Sequence, residues 1–112
     1  MNVLSHLIYE YHKKLRNLAL YTFPASLKKQ VESKLRNKHI DYVLQEVSPD
    51  KYNVFFGETP CVDIIRIIGK KPLNLYTPEE DFILGIMLGY DRLDQCRRYT
   101  QHSFLNHFSK VS

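Results

Sequence analysis

Asp41-Tyr42-Val43-Leu44-Gln45-Glu46-Val47-Ser48-Pro49-Asp50-Lys51-Tyr52-Asn53-Val54-Phe55-Phe56 is the stretch on which the fold turns. Asp41 to Val47, with Tyr42, Val43, Leu44 and Val47, reads as a strand, and Tyr52 to Phe56, with Val54, Phe55 and Phe56, as another, because β-branched and aromatic side chains suit a pleated surface. Ser48-Pro49-Asp50-Lys51 lies between them. Pro49 at i+1 and Asp50 at i+2 fit a type I turn, so the two strands fold back on one another as a hairpin. Upstream, Leu18-Ala19-Leu20-Tyr21-Thr22-Phe23, stopped by Pro24, supplies a third strand.

Helices surround these strands. Leu4, Leu7, Ile8, Tyr11, Leu15 and Leu18 form a helical stripe, which predicts a first helix from about Val3 to Leu15. The competing reading makes Leu7 to Tyr11 a strand. A second helix is expected from about Ala25 to Lys38, with Leu27, Val31 and Leu35 buried and a basic outer face. Glu32 and Arg36 stand there at i,i+4 in the favourable order. Thr59 as N-cap and Pro60 at N1 predict a third helix carrying Cys61, Val62, Ile64, Ile65 and Ile68, closed by Gly69 and Pro72.

The last helix has the strongest start signal. Thr77 is its expected N-cap, Pro78 fits N1, and Glu80 at N3 completes a capping box. Continuous helix is predicted through Phe82-Ile83-Leu84-Gly85-Ile86-Met87-Leu88-Gly89 to about Arg98, with Gln101 to Ser112 a frayed extension or a short final helix. Each glycine costs such a helix about 1 kcal/mol relative to alanine. Gly85 and Gly89, four apart on one face, are therefore expected to serve close helix packing or a dimer contact. The fold class that results is α+β: a small, mostly antiparallel three-stranded sheet packed against several helices, with a long C-terminal helix.

The 112 residues suit a single domain, 1–112, and at 44% hydrophobic and 25% charged the composition is that of an ordinary soluble protein. The longest apolar run, Phe82 to Tyr90, is far shorter than the roughly 20 residues that span a bilayer. The N-terminal residues lack the pattern of a secretory signal, so the expected location is cytoplasmic. Charge is uneven. Residues 11 to 38 hold Lys13, Lys14, Arg16, Lys28, Lys29, Lys34, Arg36 and Lys38 against Glu32 alone, a local +7 within a total of +4. Such a band suits an acidic protein surface or nucleic-acid phosphates, and equally a solvated helix face.

Val54-Phe55-Phe56-Gly57, Cys61, Ile65-Arg66-Ile67-Ile68-Gly69, Thr77-Pro78-Glu79-Glu80-Asp81-Phe82-Ile83-Leu84-Gly85 and Leu88-Gly89-Tyr90-Asp91 together resemble an uncharacterised bacterial domain-of-unknown-function family. Ile8-Tyr9-Glu10 and Leu15-Arg16-Asn17-Leu18 extend the likeness over most of the chain. The resemblance implies a compact α+β homodimer whose gene neighbours flavodoxin genes. It brings no activity, cofactor or catalytic residue.

Little in the sequence suggests chemistry. Cys61 and Cys96 are too few and too far apart for a disulfide framework or a zinc knuckle, and free thiols are expected. Near the start of its helix, Cys61 is the candidate reactive thiol, since the helix dipole lowers a thiol pKa there. Its spacing to Arg66 is one residue shorter than in the phosphate loop of tyrosine phosphatases. His6, His12, His39, His102 and His107 are scattered; His102 and His107 resemble half a ligand set without its cysteines, so no metal is expected. No glycine-rich phosphate loop is present. Tyr21 and Phe23 lie close enough to the basic band to be considered as base-stacking groups. The leading expectation is a non-enzymatic homodimeric interaction module, without cofactor, whose Lys28, Lys29, Lys34, Arg36 and Lys38 meet an acidic protein such as a flavodoxin. A nucleic-acid-binding protein using the same band, and a thiol-dependent enzyme centred on Cys61, are the alternatives.

Overall fold

The computed structural model describes residues 2–69 and 71–111, with side chains as far as Gln101. The chain forms two compact units, residues 1–70 and 71–112. In the first, α1 (Asn2–His12), β1 (Leu18–Pro24), a 3-10 turn (Ala25–Leu27), α2 (Lys28–Asn37), β2 (Asp41–Ser48), β3 (Lys51–Gly57) and α3 (Thr59–Ile68) follow in order. The three strands form one antiparallel sheet in the order β1-β3-β2.

The hairpin folds as its sequence predicts. Asp41 pairs with Gly57 and Glu46 with Tyr52; the register then slips at Val47, so that Ser48 faces Lys51. Neither Pro49 nor Asp50 has positive φ, which excludes the primed turns that match strand twist. The extra residue at Val47 supplies the additional twist as a bulge.

Alternate residues point to opposite faces of the sheet. On one face Ala19, Phe23, Val54 and Phe56 are buried against Leu4 and Ile8 of α1 and Val31 and Leu35 of α2. On the other, α3 packs over β2 and β3 and buries Val62 and Ile65. The residues Leu7 to Tyr11 are helical, which removes the strand alternative.

The first helix stops at His12, short of the Leu15 that its apolar stripe predicts. Helix α2 reaches Asn37 with Lys38 as its C-cap, as its sequence predicts, and both close in the same way. After α1, Lys14 takes φ 62°, its amide donates to the Tyr11 carbonyl and that of Leu15 to Glu10. After α2, His39 takes φ 57°, its amide donates to Arg36 and that of Ile40 to Leu35. Both are Schellman caps built without glycine. The second places Ile40 and Leu35, both buried, in the apolar positions that accompany the motif.

The start of α3 differs by one residue from its sequence signal. Glu58, not Thr59, is the N-cap. Its amide is held by the Asn17 carbonyl at 2.9 Å, and its own carbonyl accepts from Cys61 and Val62 at 3.0 Å each. Thr59 instead gives its side chain to Asp41. Pro60 falls at N2, where the helix still has no acceptor for an amide hydrogen.

The second unit holds a 3-10 turn (Leu73–Leu75), α4 (Pro78–Met87) and α5 (Arg92–Val111). The Thr77 capping box forms as read: Thr77 Oγ1 accepts from the Glu80 amide at 3.2 Å, and Glu80 Oε1 from the Thr77 amide at 2.9 Å. The helix does not run on to Arg98. Gly89, at φ 81°, ends it in a third Schellman cap, with the Gly89 amide donating to Ile86 and the Tyr90 amide to Gly85. Asp91 then accepts from the Asp94 amide at 3.0 Å as α5 begins. The two helices form a hairpin closed by Phe82 on Tyr99 (5.3 Å between rings) and by Arg98 on Asp81 (2.9 Å). The C-terminal stretch from Gln101 continues α5 to Val111. No helix among the described residues is long and apolar enough to cross a membrane.

Candidate interaction surface

The basic band becomes the outer side of the α1–α2 layer. Its only acids, Glu10 and Glu32, are each engaged within the layer. Glu10 holds Arg16 at 3.0 Å and faces His6 at 3.0 Å; Glu32 faces Arg36 at 3.3 Å and accepts from the Tyr42 hydroxyl at 3.0 Å. Burial, followed by Glu32, raises the pKa of Tyr42 and keeps it a donor. Lys34 donates to Ser5 of α1, and Lys28 lies over the Tyr52 ring at 5.1 Å. Lys14, Lys29 and Lys38 are exposed with no partner among the described residues, and Lys13 sits 5.7 Å from the centre of the Tyr9 ring. The five residues expected to bind a partner thus do not share one helix face. Lys28 and Lys34 flank the buried stripe on opposite sides, while Lys29 and Arg36 point outward at helical spacing.

Tyr21 and Phe23 do not stand beside these cations as stacking platforms. Phe23 is buried, and Tyr21 packs against the core with its ring stacked on Phe23 at 5.7 Å. Cys61 is a half-buried free thiol in the first turn of α3. Burial pushes its pKa up, and the Glu58 carboxylate adds to the rise. Desolvation and a neighbouring negative charge both disfavour the thiolate, the reverse of what a reactive thiol needs. The side chains of His102 and His107 lie outside the described residues.

Residues 2–102 match a family model described as "Protein of unknown function (DUF2023)". The chain belongs to the DUF2023 family. No curated protein matches it. The match begins in α1 and ends in α5, so the DUF2023 domain takes in both the sheet unit and the helical hairpin.

One cluster in this DUF2023 chain escaped the sequence reading. Arg66 of α3 bonds Asp41 of β2 at 2.8 Å, Asp63 at 2.7 Å and the Tyr42 carbonyl at 3.2 Å. The bond from Arg66 holds the Asp41 carboxyl below its ordinary range, and the carboxylates hold Arg66 firmly protonated. Asp63 and Arg66 stand at i,i+3 on one helix, but Asp41 lies 25 residues upstream of Arg66, where no local pattern connects the two.

The two glycines part company. An alanine Cβ at Gly85 would stand 2.1 Å from Gln95 Oε1, so the Gln95 side chain of α5 occupies the space beside this glycine in the α4–α5 hairpin. At Gly89 a Cβ would meet nothing within 4 Å. That glycine is required by its backbone angle, not by a neighbour in its own chain.

Proposed function

We propose that this DUF2023 chain is a non-enzymatic interaction module that works as a homodimer and offers its α1–α2 layer to an acidic protein, with a flavodoxin-type partner the expected class. The observation that carries this reading is the internal engagement of Glu10 and Glu32, which leaves Lys14, Lys29 and Lys38 as uncompensated exposed charge. Such charge speeds and orients encounter more than it tightens a complex. Support for self-association through the C-terminal helices comes from Ile83, Tyr90 and Leu93, which expose 43%, 53% and 58% of their surface on the hairpin.

The test is titration of a purified flavodoxin into the protein at increasing salt, alongside a Lys29→Glu/Lys38→Glu variant and sedimentation of the protein alone. The expected result is a dimer, with binding that weakens as salt rises and weakens again in the variant. A monomer at high concentration, or binding indifferent to salt and to charge reversal, would overturn the proposal.

A further inference from the structure

On the face of the sheet opposite the basic layer, β2 is an edge strand whose outer side is treated differently along its length. At one end the outward backbone groups are already used: the Tyr42 carbonyl accepts from Arg66, and the Tyr42 amide donates to the Asp41 carboxylate. At the other end the bulge at Val47 breaks the register. Both are ordinary ways of blunting an edge. Because alternate residues of a strand turn their amide and carbonyl to the same side, Leu44 and Glu46 also point outward, and no backbone partner among the described residues meets them there.

A cavity of about 230 Å³ opens beside this unblunted segment. Val43, Phe55 and Ile65 form its apolar part, Arg66 stands towards one end, and at the other Gln45 donates to the Gly69 carbonyl at 3.1 Å. Leu44 also lines it. The Leu44 side chain packs into the core on the opposite face, so its backbone is what borders the cavity. A free donor and acceptor at the lip of an apolar pocket, between an edge strand and a helix, is the arrangement that takes an added strand: main-chain bonds hold it, and a pocket selects one side chain.

We propose that the Leu44–Glu46 edge binds an extended segment of a partner protein by strand addition, with one aliphatic side chain seated in the cavity and basic residues flanking it. Charge selects the occupant. Among the described residues the rim carries Asp41, Asp63 and exposed Glu46 against Arg66, which favours a segment rich in lysine or arginine. A second copy of β2 would instead bring the same acids against themselves.

The probe is a displayed library of random hexapeptides panned against the full chain, followed by amide chemical shifts with the selected peptides. The expected outcome is enrichment of peptides alternating aliphatic with basic residues, which shift the Leu44 and Glu46 amides. Leu44→Pro, which removes the outward amide, weakens binding by about tenfold or more. Val43→Phe fills the cavity without touching the ladder and weakens it as well, so the proposal stays testable if the proline variant fails to fold. No enrichment over the starting library, or peptides that bind both variants as well as the parent, would overturn the proposal. So would Leu44 shifts that depend on protein concentration without peptide, which would assign the edge to a second copy. None of these outcomes bears on the acidic-partner reading, which concerns the opposite face.

Discussion

Replacing Gly57 by alanine probes the junction from which α3 leaves the sheet. The new Cβ would stand 2.1 Å from the Asn17 carbonyl oxygen, 3.0 Å from its carbon and 3.1 Å from Leu18 Cα, at a φ of +149°. All three are backbone atoms, so no side chain can swing away. Holding an alanine at this angle costs about 1–3 kcal/mol. Forcing the two backbones apart adds about 1–3 kcal/mol of overpacking. Displacing the Asn17 carbonyl also weakens its 2.9 Å bond from the Glu58 amide, worth about 1 kcal/mol. Alanine returns about 0.5–1 kcal/mol through its less flexible unfolded chain. The net loss is about 4 kcal/mol, against a typical total stability of about 5–15 kcal/mol. With a urea m-value of about 2 kcal/mol/M, the midpoint falls by about 2 M. Urea unfolding followed by tyrosine fluorescence and circular dichroism measures it. Gly89→Ala is the control: its φ is also positive, but the space is open, and the expected cost is about 1 kcal/mol. A Gly57→Ala loss no larger than the control's would refute the reasoning.

Gly85→Ala should change stability by less than about 1 kcal/mol, because the gain in helix propensity offsets the displacement of Gln95; in a Gln95→Ala background the same change should stabilise by about 1 kcal/mol. Thermal or urea unfolding of the three variants decides. Lys14→Gly and His39→Gly should each raise stability by about 0.5–1 kcal/mol, since both lysine and histidine hold left-handed angles that glycine adopts freely. Arg66→Met should flatten the acid limb of stability: Asp41, depressed in the fold, contributes stability above the ordinary aspartate range and loses it as pH falls through its lowered folded pKa. Unfolding midpoints measured from neutral pH downward should show the parent losing more than the variant. Cys61, with its pKa raised by burial and by Glu58, should alkylate more slowly than free glutathione at mildly alkaline pH, as mass spectrometry of iodoacetamide-treated protein would show.

What the sequence made legible was whatever is governed by neighbours in the chain. The Pro49-Asp50 turn, the three strands and the Thr77 capping box all rest on contacts within a few residues, and each forms where it was read. Helix ends were harder. Lys14 does the work usually given to glycine, so composition hid the end of α1; His39 does the same after α2, whose end near Lys38 was read. Gly89 was read as lying inside a helix that it ends, because nothing in the pattern from Phe82 to Leu88 distinguishes the two positions. At α3 the decisive partner of Glu58 is Asn17, at the head of the neighbouring strand β1 and far upstream in the chain, and no local signal predicts that bond. The candidate surface divides in the same way. Excess positive charge was plain in the sequence, but its distribution around α2, the engagement of Glu10 and Glu32, and the Arg66–Asp41 tie all depend on strands and helices that meet only in three dimensions.

The β1-β3-β2 order also has a consequence in time. The central strand is the last to be synthesised, so β1 has no neighbour to pair with until β3, from Lys51 to Gly57, leaves the ribosome. The β2–β3 hairpin closes a short loop and forms early, whereas joining Leu18 to Gly57 closes a long one. The basic N-terminal segment therefore waits, without its sheet partner, for the hairpin to be complete. In pulse-labelled hydrogen exchange during refolding, amides of β2 and β3 should gain protection before those of β1, and the first strand made should be the last one home.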